Sequence, residues 1–122
     1  MTYCNFEDLP IWQNARAITN QVYSIIGYNS KLQKDLRLTG QLTGASISNM
    51  NNIAEGFDAG SNNEFVRFLK YSQRSCSEIM SMSYILNDVY KLEQESKKLY
   101  SDTLEERKQI KAFVKYLENL TN

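Results

Sequence analysis

The stretch SISNMNNIAEGFDAGSNNEF, Ser46 to Phe65, decides how the chain is read. It holds a cluster of three asparagines before Ile53 (Asn49, Asn51, Asn52), two glycines and a Ser61-Asn62-Asn63-Glu64 run within twenty residues. Such a segment is either a polar site or the place where one helix hands over to the next. Ser61 to Glu64 has the spacing of a capping box, in which the serine hydroxyl accepts the Glu64 amide and the glutamate reaches back. That spacing predicts a helix start at Ser61, after a break from Gly56 to Gly60. Asn52 and Glu55 lie one turn apart at the end of the preceding helix. An asparagine there can donate and accept at once, and so tie a helix end to the next turn.

Outward from this junction, apolar residues recur at three- and four-residue steps. Trp12, Ala15, Ile18, Val22 and Ile25 define a first helix, with Asp8 as N-cap and Pro10 in its first turn. Leu38, Leu42, Ala45, Asn49 and Ile53 define a second, beginning at Leu32 or Asp35 and reaching Ala54. Gly40, Gly44, Ala45, Ser46 and Ser48 run along it, which fits either close helix packing or a ligand groove. Phe65, Phe68, Leu69, Ser72, Cys76 and Ile79 define a third helix, continuing to about Leu92. Glu93 to Lys98 reads as a charged turn. Leu99, Leu104, Ile110, Phe113, Val114, Leu117 and Leu120 mark a fourth. Strand signals are absent. Four amphipathic helices with short links predict an all-α, antiparallel up-down four-helix bundle, a single domain over residues 1–122.

On the third helix, Arg67, Lys70 and Arg74 fall within about 60° of one another, opposite the apolar stripe. They form either an ordinary solvated face or a contact for phosphate or an acidic partner. Farther along, Met82, Ile85 and Val89 point away from the stripe that Leu86 and Tyr90 continue. A helix apolar on two sides is buried on two sides, by a second subunit or by a curved fourth helix.

Composition restricts the chemistry. The chain has 122 residues, 14 basic and 14 acidic, with no histidine. The usual general base and the commonest transition-metal ligand are therefore missing. No Ser-Lys or glycine-rich phosphate motif stands out, and no cofactor is expected. Glu55 and Asp58 can cap backbone or share a metal, and Cys4 and Cys76 read as free thiols or, less simply, a disulfide. The first ten residues lack the pattern of a signal peptide, and no apolar run approaches a membrane span. The expectation is a soluble, cytoplasmic, non-enzymatic protein. Zero net charge disfavours nucleic-acid binding unless the charges segregate onto one face.

Asn52-Ile53-Ala54-Glu55-Gly56-Phe57 carries a resemblance. The chain resembles the four-helix-bundle family of proteins encoded in intervening sequences of bacterial large-subunit ribosomal RNA genes. That family includes the accessory variability proteins of diversity-generating retroelements. Phe6, Leu9, Trp12-Gln13 and Ala15 match its opening pattern, and Leu38, Gln41 and Leu42 its second helix. Ser46 to Gly56 resembles its SI-x-SNIAEG signature. Ser61, Glu64-Phe65, Arg67-Phe68-Leu69, Ser75 and Glu78 match the run that follows. Where the family usually has arginines, this chain has Thr43-Gly44 and, near Ala59, no basic residue. The resemblance implies an oligomeric ring, typically a homopentamer. For the retroelement branch it also implies binding to a reverse transcriptase and to RNA or DNA through a basic surface. The alternative is a structural or protein-interaction module without nucleic-acid binding.

Overall fold

A computed structural model describes residues 3–121. A 3-10 turn (Phe6–Asp8) precedes α1 (Pro10–Gly27), α2 (Ser30–Lys34), α3 (Leu36–Asp58), α4 (Asn62–Asp88) and α5 (Glu93–Thr121). The described residues form an all-α helical bundle of four long helices and one short one.

Several boundaries differ from the sequence expectation, each for a local reason. Asp8 does not cap α1. It closes the 3-10 turn by accepting the Asn5 amide at 3.2 Å, while Leu9 is the N-cap and Pro10 the first helical residue. The start of the second helix is divided. Asn29 caps α2 by accepting the Leu32 amide at 2.8 Å, and Asp35 then caps α3 by accepting the Leu38 amide at 3.1 Å. Two caps six residues apart give two helices, and Leu32 between them is fully buried.

Gly56 does not break α3, which runs on to Asp58. A Cβ on Gly56 would lie 2.8 Å from the Cβ of Phe68 and 2.9 Å from Cδ1 of Phe65. Its role is close approach to α4. The turn itself falls at Gly60, whose φ of +89° suits glycine. Gly40 and Gly44 have open space where a Cβ would stand, so they serve no close packing within the chain. Glu93 to Lys98 is the first turn and a half of α5 and not a loop. The actual turn is Val89 to Leu92, where Lys91 takes a left-handed φ of 57° and the Leu92 amide donates to the Leu86 carbonyl at 3.0 Å. The Lys91 amide donates to the Asn87 carbonyl at 3.1 Å, an αL closure with lysine where glycine is usual.

The core has two apolar clusters. One gathers Leu9, Ile11, Ala15, Ile53, Phe65, Leu69, Ile110, Val114 and Leu117. The other gathers Ile18, Val22, Leu32, Leu38, Leu42, Ile79, Leu86 and Leu99. Near where the two clusters meet lie buried polar residues: Thr19, Ser46, Asn49, Ser72, Ser75, Thr103 and Glu106. Helix pairs meet at fixed levels. Asn14 and Gln21 of α1 donate to Gln109 and Asp102 of α5. Ser75 and Ser72 of α4 donate to Ser48 Oγ and the Asn49 carbonyl of α3, each at 3.0 Å. Among the described residues, no helix is long and apolar enough to cross a membrane.

Candidate functional site

The opening stretch is structural in a different way from the one expected. Ser61 accepts the Glu64 amide at 3.2 Å, but the Glu64 carboxylate pairs with Arg67 at 2.8 Å instead of turning back. Asn52 donates to the Ser48 carbonyl at 2.8 Å, one turn back on its own helix, and Glu55 is exposed. The inter-helix tie belongs to Asn49, which is fully buried and donates to Glu106 of α5 at 3.3 Å.

Of the three cations expected to act together, Arg67 and Arg74 both lie against the Tyr71 ring, 5.7 and 5.5 Å from its centre. Arg67 is held by Glu64, by the Tyr71 hydroxyl at 3.2 Å and by the faces of Phe68 and Tyr71. The hydrogen bonds to Glu64 and Tyr71 favour its charged form. Lys70 and Arg74 also line a groove of about 840 Å³ between α4 and α5. Arg107, Lys108, Lys111 and Lys115 of α5 line the same groove, with Leu104 and Val114 as apolar floor. Among the described residues of the lining, Glu118 is the one acidic residue, 3.7 Å from Lys70. Arg107 donates to Ser77 at 3.0 Å, which sets its guanidinium across the two helices.

Six of the chain's 14 basic residues thus converge on one surface of a protein with no net charge. Arg107, Lys111 and Lys115 follow one another at four-residue steps, about 6 Å apart along the axis. This spacing was the sequence signal for the groove, and it lay on α5 while the expectation rested on α4. Chemically the groove can hold several phosphates or carboxylates. Among the described residues, its lining includes no aromatic side chain on which a base could stack.

Met82, expected at a second apolar face, is buried in the core cluster with Leu38 and Leu86. Ile85 and Val89 do lie outside, 39% and 64% exposed, with Leu36 and Tyr84 also exposed. Cys4 is exposed and Cys76 buried, and both are free thiols. Burial pushes the Cys76 thiol well above its ordinary range. Among the described residues, no group of three or more Cys, Asp or Glu is arranged to hold a metal.

The interior holds what the sequence reading missed. Glu106 is fully buried, and burial pushes its carboxyl up to about 8, against a smaller opposing effect of the Asn49 hydrogen bond. Its phase is that of Leu99, Thr103, Ile110 and Leu117, the centre of the apolar stripe of α5. A glutamate in the middle of such a stripe was the available signal.

Fold and surface together define a class: an all-α helical bundle carrying a basic interhelical groove. Within that class, the model of the family described as 23S rRNA-intervening sequence protein matches residues 7–112, and the chain belongs to that family. No curated protein and no solved structure matches the chain.

Proposed function

We propose that the protein acts by binding and not by catalysis, and that the α4–α5 groove receives a polyanion, with nucleic-acid backbone as the class that fits. The observation that carries this reading is the convergence of Lys70, Arg74, Arg107, Lys108, Lys111 and Lys115 on one groove. Because the described residues of the lining offer cations and no stacking surface, recognition is of backbone charge and not of base sequence. The long helices are read as an antiparallel up-down order, which the pairing of Lys70 with Glu118, Ser77 with Arg107 and Tyr84 with Tyr100 supports. Exposed Ile85, Val89, Leu36 and Tyr84 support self-association into a scaffold, for which the resemblance implies a pentamer. A reverse transcriptase is a partner on the retroelement reading of that resemblance.

Fluorescence anisotropy with labelled duplex RNA and DNA tests the groove. With about six phosphate contacts, affinity should fall roughly 10³-fold between 50 and 200 mM salt. Lys111→Glu should weaken binding and flatten the salt dependence, whereas Arg67→Glu should change little. Absence of binding at 50 mM salt, or equal effects of the two substitutions, overturns the reading.

A further inference from the structure

We propose that Glu106 is an interior proton-binding site: its neutral carboxyl closes a two-hydrogen-bond ring with the Asn49 amide, and loss of that proton loosens α5 from α3. The argument starts from donors and acceptors. Asn49 Nδ2 donates to Glu106 Oε2, while Asn49 Oδ1 and Glu106 Oε1 are both buried without a partner. An amide oxygen and a carboxylate oxygen only accept, so two neighbouring groups each keep a buried acceptor that lacks a donor. A single proton on Glu106 supplies a donor from one to the other and satisfies both. The Thr103 hydroxyl, one turn earlier on α5, is likewise buried and unpartnered.

The hydrogen bond that is present agrees. At 3.3 Å it is long for a bond to an ionised carboxylate, which ordinarily draws an N–H donor to about 2.8 Å. Among the described residues, burial raises this carboxyl and the Asn49 bond is the one opposing influence, with no cation contributing. From α3 the facing group is Asn49, and from α4 it is the Cys76 thiol. From α1, Asn14, Ala17 and Ile18 line the adjoining cavity, and none of them titrates. On α5 itself, Asp102 and Glu105 are acidic, and Arg107 is turned into the groove.

The carboxyl sits at about 8 in the folded chain, above the roughly 4.3 of an unfolded glutamate. Its contribution to stability is therefore complete below about pH 4 and is lost as pH rises through about 8. Between those limits the folded-to-unfolded ratio falls close to tenfold per pH unit from this residue alone. The test is urea denaturation of the full chain at a series of pH values for the wild type, Glu106→Gln and the exposed control Glu105→Gln. It is joined by a carbon-13 NMR titration of the wild-type glutamate carboxyls. Glutamine preserves the ring, because its amide donates to Asn49 Oδ1. The expected result is a wild-type and Glu105→Gln stability that declines from pH 5 to 8, a flatter Glu106→Gln profile, and one carboxyl resonance titrating near 8. If every glutamate titrates in the ordinary range, or if Glu106→Gln keeps the wild-type slope, the proposal is overturned. The NMR arm decides the matter even if the variant fails to fold.

Discussion

Two glycines of α3 make one chemical change with opposite consequences. Adding a methyl at Gly44 meets nothing within 4 Å, so Gly44→Ala gains the helix propensity of alanine, about 1 kcal/mol. For a chain of this size that is roughly 4 °C in Tm. At Gly56 the same methyl lies 2.8 Å from a Phe68 Cβ, an atom fixed to the α4 backbone that no side-chain rotation can move aside. Contact at an ordinary separation requires α3 and α4 to part by more than half an ångström, beside a buried Phe65. Overpacking of this kind costs up to about 3 kcal/mol. Subtracting the propensity gain leaves Gly56→Ala less stable by about 2 kcal/mol, or roughly 8 °C. Thermal melts followed by circular dichroism, with urea titrations at 25 °C, compare the two variants in one helix of one protein. A Gly56→Ala variant as stable as the wild type refutes the close-approach reading. A destabilised Gly44→Ala variant refutes the open-space reading and places another molecule on that face.

Two further outcomes follow from the α1–α3 connection. Leu32→Ala should lower stability by about 2–4 kcal/mol in urea titration, because a fully buried leucine anchors a helix of only five residues. Asp35 accepts the Leu38 amide and the Tyr90 hydroxyl, the latter at 2.7 Å, and the Tyr90 bond is the larger cause of its lowered pKa. Its contribution is thus present above the unfolded carboxyl range and lost as pH falls through the folded value. Tyr90→Phe should shrink the acid-side loss of stability between pH 5 and 2, and an unchanged acid limb counts against the bond.

Much of the architecture was legible because burial has a period. Ala15, Ile18, Val22, Leu38, Leu42, Ile53, Leu69, Ile79 and Val114 are buried where their spacing places them. What escaped was information that has no period. The α2 segment contains one apolar residue, Leu32, too few to define a face. Met82 was assigned to the outside from its angle on α4, whereas α3 supplies Leu38 and Leu42 to cover it. The groove was half visible: Lys70 and Arg74 were identified, but their partners stand on another helix, and pairing across helices is a tertiary fact. Glu106 was passed over because a carboxylate is ordinarily exposed, and only its neutral form suits its surroundings.

The buried polar groups near where the two apolar clusters meet have a consequence for alignment. Leucine packs against leucine tolerably well at several offsets, so an all-apolar bundle distinguishes poorly between one setting of its helices and the next. Here a one-turn slip of α5, about 5.4 Å, would carry Glu106 away from Asn49 and set it among aliphatic side chains. The same slip of α4 would part Ser72 and Ser75 from Asn49 and Ser48. These few groups serve as an index mark for the whole assembly, so that the length of each helix can drift in evolution while its zero point stays fixed.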